Sequence, residues 1–187
     1  MRLKVEDILQ MNHVDRWHTH RTHRTQNLSE HSAMVAIFSN LLYDHIVPEA
    51  SKSFQDRYTL MWYSLMHDLP EIATSDIASP AKKVLRELFD GDEDPFEVLE
   101  DRLFPEIKEI KETVAGTPLK AINKLADNLD AIAFISKEGI GSTSKKIRER
   151  VSTEFRSKLV ELAKHYPNYH WEKAELILAE TLKAAKK

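Results

Sequence analysis

An all-α helical bundle is the fold class this sequence predicts, and three observations predict it. Apolar residues recur at helical spacing along most of the chain. A capping residue stands directly before proline at Ser79-Pro80, Asp94-Pro95 and Thr117-Pro118, the pattern of a helix start. No segment shows the alternation of a half-buried strand, and four glycines in 187 residues are few for tight hairpins. The length suits one domain with a single core over residues 1–187.

A short helix is expected from Val5 to Asn12, followed by a polar stretch from Asp15 to Asn27 rich in Arg, His and Thr. Ser29 reads as the N-cap of a helix to about Ile46, with Met34, Phe38, Leu41 and Leu42 as its inward stripe. A helix from about Lys52 to Asp68 would turn Phe54, Tyr58, Met61 and Leu65 inward. Pro70 stops it, because the residue before proline avoids the α region. Gly91 and Gly116 separate the helices that follow. The helix from Pro118 to about Glu138 stacks Leu119, Ile122, Ala126, Leu129 and Ala133, and Gly139 and Gly141 end it. Amphipathic helices at about Lys145–His165 and Trp171–Ala185 complete a bundle of roughly seven to nine helices.

Composition narrows the function. Hydrophobic residues make 42% and charged residues 30% of the chain, the balance of a globular protein in water. The net charge of −3 supplies no global field for nucleic acid, and one basic loop without a nucleic-acid fold does not replace it. No apolar run approaches a membrane span, and the first ten residues lack a signal peptide's apolar stretch. The absence of cysteine excludes disulfides, thiolate zinc sites and a cysteine nucleophile, and fits a cytoplasmic protein.

Four places carry metal- or phosphate-binding chemistry. His31 sits near a helix start, where a surface histidine is the bland alternative. His67-Asp68 places an imidazole and a carboxylate at a helix end, from which both reach one cation. Glu71 and Asp76 follow closely. A carboxylate there can move a proton, although a first-turn Glu and a turn Asp are ordinary in themselves. Asp127 lies off the main apolar stripe of its helix, with Asp130 as a competing candidate. The segment Arg16 to Thr25 adds Arg16, Arg21 and Arg24 with three histidines and no acid, a composition that meets anions. Trp17 offers a flat face for a base or sugar.

The order His31, then His67-Asp68, then Asp127 resembles the H…HD…D signature of HD-domain phosphohydrolases. Arg16-Trp17 with Arg24-Thr25-Gln26-Asn27-Leu28-Ser29-Glu30-His31-Ser32 resembles the RW…RTENVSEHS segment of YfbR-like 5′-deoxynucleotidases. The run from His67 to Asp76 is similar to that family's HDxxEVxTGD, with Ser75 where the family has glycine. Ser79-Pro80-Ala81-Lys82 and Lys124-Leu125-Ala126-Asp127 are similar to its TPxK and K-x-A-D. The resemblance spans about residues 10–140 and extends to phage dNTP and dATP triphosphohydrolases.

This resemblance implies an all-α HD-domain bundle, cytoplasmic and homo-oligomeric. One divalent ion (Co2+, Mn2+, Zn2+ or Mg2+) would be held by His31, His67, Asp68 and Asp127. Glu71 would serve proton transfer, Arg16 and Lys82 phosphate, and Trp17 and Asp76 the deoxyribose. The implied reaction is hydrolysis of a deoxynucleoside 5′-monophosphate to nucleoside and phosphate. The alternatives are hydrolysis of a deoxynucleoside triphosphate to nucleoside and triphosphate, which the extra His and Arg of the loop would suit, and a non-catalytic nucleotide-binding module.

Overall fold

The computed structural model describes residues 3–89 and 93–185. Gly91, expected to separate two helices, lies outside them. The elements run α1 (Val5–Gln10), a 3-10 turn at Met11–His13, β1 (Asp15–Arg16), β2 (Gln26–Asn27), α2 (Leu28–Ile46), α3 (Phe54–Met66), α4 (Glu71–Thr74), α5 (Ser79–Leu88), α6 (Pro95–Leu103), α7 (Pro105–Val114), α8 (Pro118–Glu138), α9 (Gly141–His165) and α10 (Glu172–Ala184). The all-α expectation holds. The antiparallel pairing of β1 with β2, two residues each, merely closes the polar loop between them. Among the described residues, no helix is long and apolar enough to cross a membrane.

α2 and α8 are the centre of the bundle, with α3, α9 and α10 packed around them. Leu42, Ile46, Leu60, Ile122, Leu129 and Phe155 fill the main core, each fully buried. Met11, Val14, Leu28, Met66, Leu69 and Phe104 form a second cluster beneath the 3-10 turn and α4. The fully buried Leu28 and Leu69 stand a few residues from His31 and His67-Asp68, so packing locks the backbone that carries those side chains.

Three sequence expectations are corrected. α2 starts at Leu28, two residues earlier than a Ser29 cap implies: Asn27 is its cap, and its side chain accepts the Glu30 N–H at 2.8 Å. The inward face of α2 is Leu28, His31, Ser32, Val35, Ala36, Ser39, Leu42, Tyr43 and Ile46. Leu41 is exposed, and Met34 and Phe38 are only half-buried. In α3, Phe54, Tyr58 and Met61 face solvent while Thr59, Leu60, Tyr63, Ser64 and Met66 are buried. Both helices bury small hydroxyl side chains that pair internally; Ser64 Oγ donates to Ser39 Oγ at 2.9 Å and accepts from Asn123 Nδ2 at 3.0 Å.

Ser75, in the family's glycine position, has φ +61° and ψ 169°. That backbone region is almost reserved for glycine and costs about 1–3 kcal/mol for other residues. Ser75→Gly should therefore stabilise the protein by about 1 kcal/mol net of glycine's extra chain entropy, raising Tm by about 2–4 °C. A melting curve with unchanged or lower Tm would show that the turn before Asp76 is unstrained.

Candidate metal centre and active site

α2, the end of α3 and the middle of α8 converge on one point. His31 Nε2 lies 3.3 Å from Asp68 Oδ2 and 3.6 Å from Asp127 Oδ1. His67 Nε2 lies 3.4 Å from Asp68 Oδ1. One donor atom each from His31, His67 and Asp127 fit within 4.8 Å of one another. The four residues whose order carries the resemblance are thus brought together in space.

Their hydrogen bonds decide which ring atoms face that point. His31 Nδ1 donates to Asp130 Oδ2 at 2.6 Å, and His67 Nδ1 donates to the Ser64 carbonyl at 2.8 Å. Both Nε2 atoms are buried without a hydrogen-bond partner. A buried imidazole nitrogen left bare is costly unless something else takes its lone pair. Two of them beside two carboxylates form a donor set suited to a divalent cation, nearly neutral once the ion is bound. The residues present therefore fit the implied metal.

Charge reinforces this. Burial would raise the Asp68 and Asp127 carboxyls, but it is outweighed. The charge that His67 gains as pH falls, with the charges of Arg16 and His31, holds Asp68 well below the usual carboxylate range. Lys124, whose Nζ is 2.5 Å from Asp127 Oδ2, does the same for Asp127. Burial keeps His67 low, hence neutral and ready to ligate. Burial and Arg16 also oppose charge on His31, yet the Asp130 hydrogen bond and the Asp68 carboxylate beside Nε2 push it up to about 9.

A folded-state value above the unfolded 6.5 means that this contribution to metal-free stability is complete below about pH 6.5 and is lost as pH rises through about 9. A cation entering at pH 7 must expel that proton. About one proton should be released per ion bound, with affinity rising about tenfold per pH unit toward pH 9. Calorimetry in buffers of different ionisation enthalpy measures the release; none at pH 7 would contradict it.

Glu71 stands at the first turn of α4, 4% exposed. Lys82 Nζ donates to its Oε1 at 3.0 Å and Arg16 Nη1 to its Oε2 at 3.4 Å. Burial, then the Asp68 charge, pushes its carboxyl up to about 8, with Arg16 and Lys82 pulling the other way. Arg16 also donates to Asp68 at 3.0 Å, and its buried Nε has no partner.

A cavity of about 380 Å3 opens beside this cluster. Arg16, Trp17, Asp76 and Asp127, all singled out in the sequence, line it. Arg21 and Arg24 do not. Arg24 lies over the Phe134 ring and pairs with Glu30 and Glu138, so it fastens the loop to α2 and α8. Arg21 is exposed, and its carbonyl accepts the Ile140 N–H at 2.9 Å. Lys82 reaches Glu71 rather than the cavity lining. α9 supplies the wall that sequence reasoning missed, with Arg150 and Lys158 beside apolar Ile147 and Val151. Their sequence signal is only an amphipathic helix; tertiary packing directs this face to the cavity.

A family model described as 5′-deoxynucleotidase YfbR-like matches residues 5–184. The chain belongs to this family. Similar proteins include a dATP triphosphohydrolase of Acinetobacter phage SH-Ab 15497, 29% identical over 97% of this chain and 92% of the relative. A dATP triphosphohydrolase of Cyanophage S-2L is 25% identical over 82% of this chain and 81% of that protein. The fold is shared with the solved Cyanophage S-2L HD phosphohydrolase (DatZ) bound to dA and one catalytic Zn2+ ion, at TM-score 0.79 and 21% identity over 98% of this chain and 99% of that one. The YfbR-like chain is accordingly an HD-type phosphohydrolase, and its His/Asp group can hold a divalent ion.

Proposed function

We propose that this chain hydrolyses 2′-deoxynucleoside 5′-triphosphates, deoxyadenosine triphosphate foremost, to the deoxynucleoside and inorganic triphosphate. The sequence alone puts the monophosphate first; two findings reverse the order. The relatives that cover most of the chain are named dATP triphosphohydrolases. The observation in this molecule that carries the reading is the cavity wall, where Arg16, Lys124, Arg150 and Lys158 outnumber Asp76, Asp127 and Glu154, and where the exposed pairs Arg150–Glu154 and Lys158–Glu161 can open toward a phosphate chain. A triphosphate carries more negative charge than a monophosphate and needs more cations along its length. Hydrolysis of monophosphates, which the family description favours, is the second reading.

In this account His31, His67, Asp68 and Asp127 hold the ion. Bound there, it would neutralise phosphate charge and acidify water. Water adds to the α-phosphorus, the P–O5′ bond breaks, and O5′ leaves with a proton. Glu71 keeps its proton at neutral pH and stands ready to give it to that oxygen. Arg16 grips a phosphate oxygen, using the Nε that lacks a protein partner. Lys82 orients Glu71. Trp17, Ile147 and Val151 offer apolar surface to base and sugar, and Asp76 accepts a hydrogen bond from the sugar. Phe54, Tyr58 and Trp62 on the outer face of α3 suit the homo-oligomer that the resemblance implies.

The test compares dATP with dAMP on metal-loaded protein. kcat/KM should favour dATP, and Arg150→Ala with Lys158→Ala should raise KM for dATP about tenfold, equivalent to ~1.4 kcal/mol. KM for dAMP should stay unchanged. Equal effects on both substrates would remove α9 from the phosphate site.

A further inference from the structure

His31 is the only residue of the converging group whose outward ring nitrogen meets another side chain rather than backbone. That side chain, Asp130, is 3% exposed and lies three residues beyond Asp127 on α8. Gln26 Nε2 donates to the same carboxylate at 2.9 and 3.2 Å. Gln26 Oε1 in turn accepts the Trp17 indole N–H at 2.9 Å. We propose that Trp17, Gln26 and Asp130 form a hydrogen-bonded chain that positions His31 as a metal ligand and ties it to the wall of the substrate cavity. The proposal rests on the metal-centre reading and is independent of which phosphate ester is cleaved.

The chain has only one consistent direction. An indole N–H can only donate. Gln26 must therefore turn its carbonyl toward Trp17 and its NH2 toward Asp130. A carboxylate can only accept, so Asp130 takes one bond from Gln26 and one from His31. When neutral, His31 then carries its one proton on Nδ1, which leaves the Nε2 lone pair on the side of His67 and Asp127. No hydroxyl stands among the links to reverse the order. Gln26 is 1% exposed and His31 0%, so solvent does not substitute for a lost link.

The fold spends strain on the first link. Trp17 has φ +64°, an uncommon conformation for a bulky residue. It is held there by a 2.8 Å bond from the His20 N–H to the Trp17 carbonyl, by stacking on Phe134 at 5.9 Å, and by Gln26. The same indole lines the cavity. A purely structural tie between loop and helix would need no carboxylate behind the ring of a metal ligand. Carboxylates in that position orient imidazole ligands and raise their basicity, and their loss typically lowers metal affinity about 10–100-fold.

The test is metal affinity, measured by competition with a chromophoric chelator for Zn2+, Co2+ and Mn2+, alongside the Tm of the metal-free protein. Asp130→Asn removes the negative charge behind the His31 ring and sets an NH2 against a donor, either His31 Nδ1 or the Gln26 Nε2 that lies 3.2 Å from Oδ1. It should weaken metal binding about 10–100-fold. Gln26→Met keeps the size and cuts two links, and should weaken binding several-fold. Trp17→Phe keeps the stacking, removes one N–H, and should produce a smaller loss of the same sign. Gln26→Met added to Asp130→Asn should cost little more. Affinity within twofold of wild type in Asp130→Asn, with only Tm lowered, overturns the proposal. If Asp130→Asn does not fold, unchanged affinity in Gln26→Met overturns it instead. Wild-type protein that binds none of the three ions removes the metal centre and this inference together, whereas turnover of dAMP rather than dATP leaves it standing.

Discussion

Glu71→Gln should lower turnover about 10²–10⁴-fold while metal affinity stays close to wild type. The substitution is nearly isosteric, so α4 and the Lys82 contact at 3.0 Å can persist. What disappears is a titratable proton. Glu71 lies against Arg16 and next to Asp68, yet its carboxylate is not one of the group built from His31, His67 and Asp127. Its raised value of about 8 arises from burial first and the Asp68 charge second, so the proton is present at neutral pH and becomes scarce above pH 8. Activity that depends on it as an acid should fall on the alkaline side, and Glu71→Gln should abolish that limb. Steady-state kcat against pH, with a separate metal titration, reads both effects. Full turnover by Glu71→Gln would show that the proton reaches O5′ another way.

Removal of a ligand should produce the other large effect. His67→Ala should abolish metal binding in the micromolar range and reduce turnover to background. In wild type, an ion at a hundred times its Kd should stabilise the fold by about 2.7 kcal/mol, a rise in Tm of several degrees. That rise should vanish in His67→Ala. The metal-free variant should melt close to metal-free wild type, because the ring makes only one hydrogen bond, to the Ser64 carbonyl, and its Nε2 is already bare. Chelation of wild type should reproduce the variant. A variant that keeps both the metal-dependent Tm shift and turnover would place the ion elsewhere.

The proposed metal-binding group was legible because chemistry and order coincide: histidine, His-Asp at a helix end, then aspartate on a later helix, and the structure brings these residues together. Asp127 and Asp130 were harder to separate. They lie less than one turn apart on α8, and only the ring orientation of His31 sets one beside its Nε2 and the other behind its Nδ1. The inward faces of α2 and α3 were misjudged for a related reason. Both helices carry apolar residues on more than one side, and their buried faces include His31, Ser39 and Ser64. Polar groups that pair internally or face a metal are buried against the usual rule, so periodicity points to the wrong side. Arg24 illustrates a third limit. A basic loop reads as anion-binding until Glu30 and Glu138 are found beside it, and Glu138 is distant in sequence. The contribution of α9 to the cavity depends on packing against α8, which no local pattern encodes.

Phosphorus NMR of the products from dATP and metal-loaded protein tests the central claim most directly. The account predicts inorganic triphosphate and deoxyadenosine in equal amounts, with no accumulation of dAMP. Pyrophosphate with dAMP, or phosphate released only when dAMP is supplied, would contradict it.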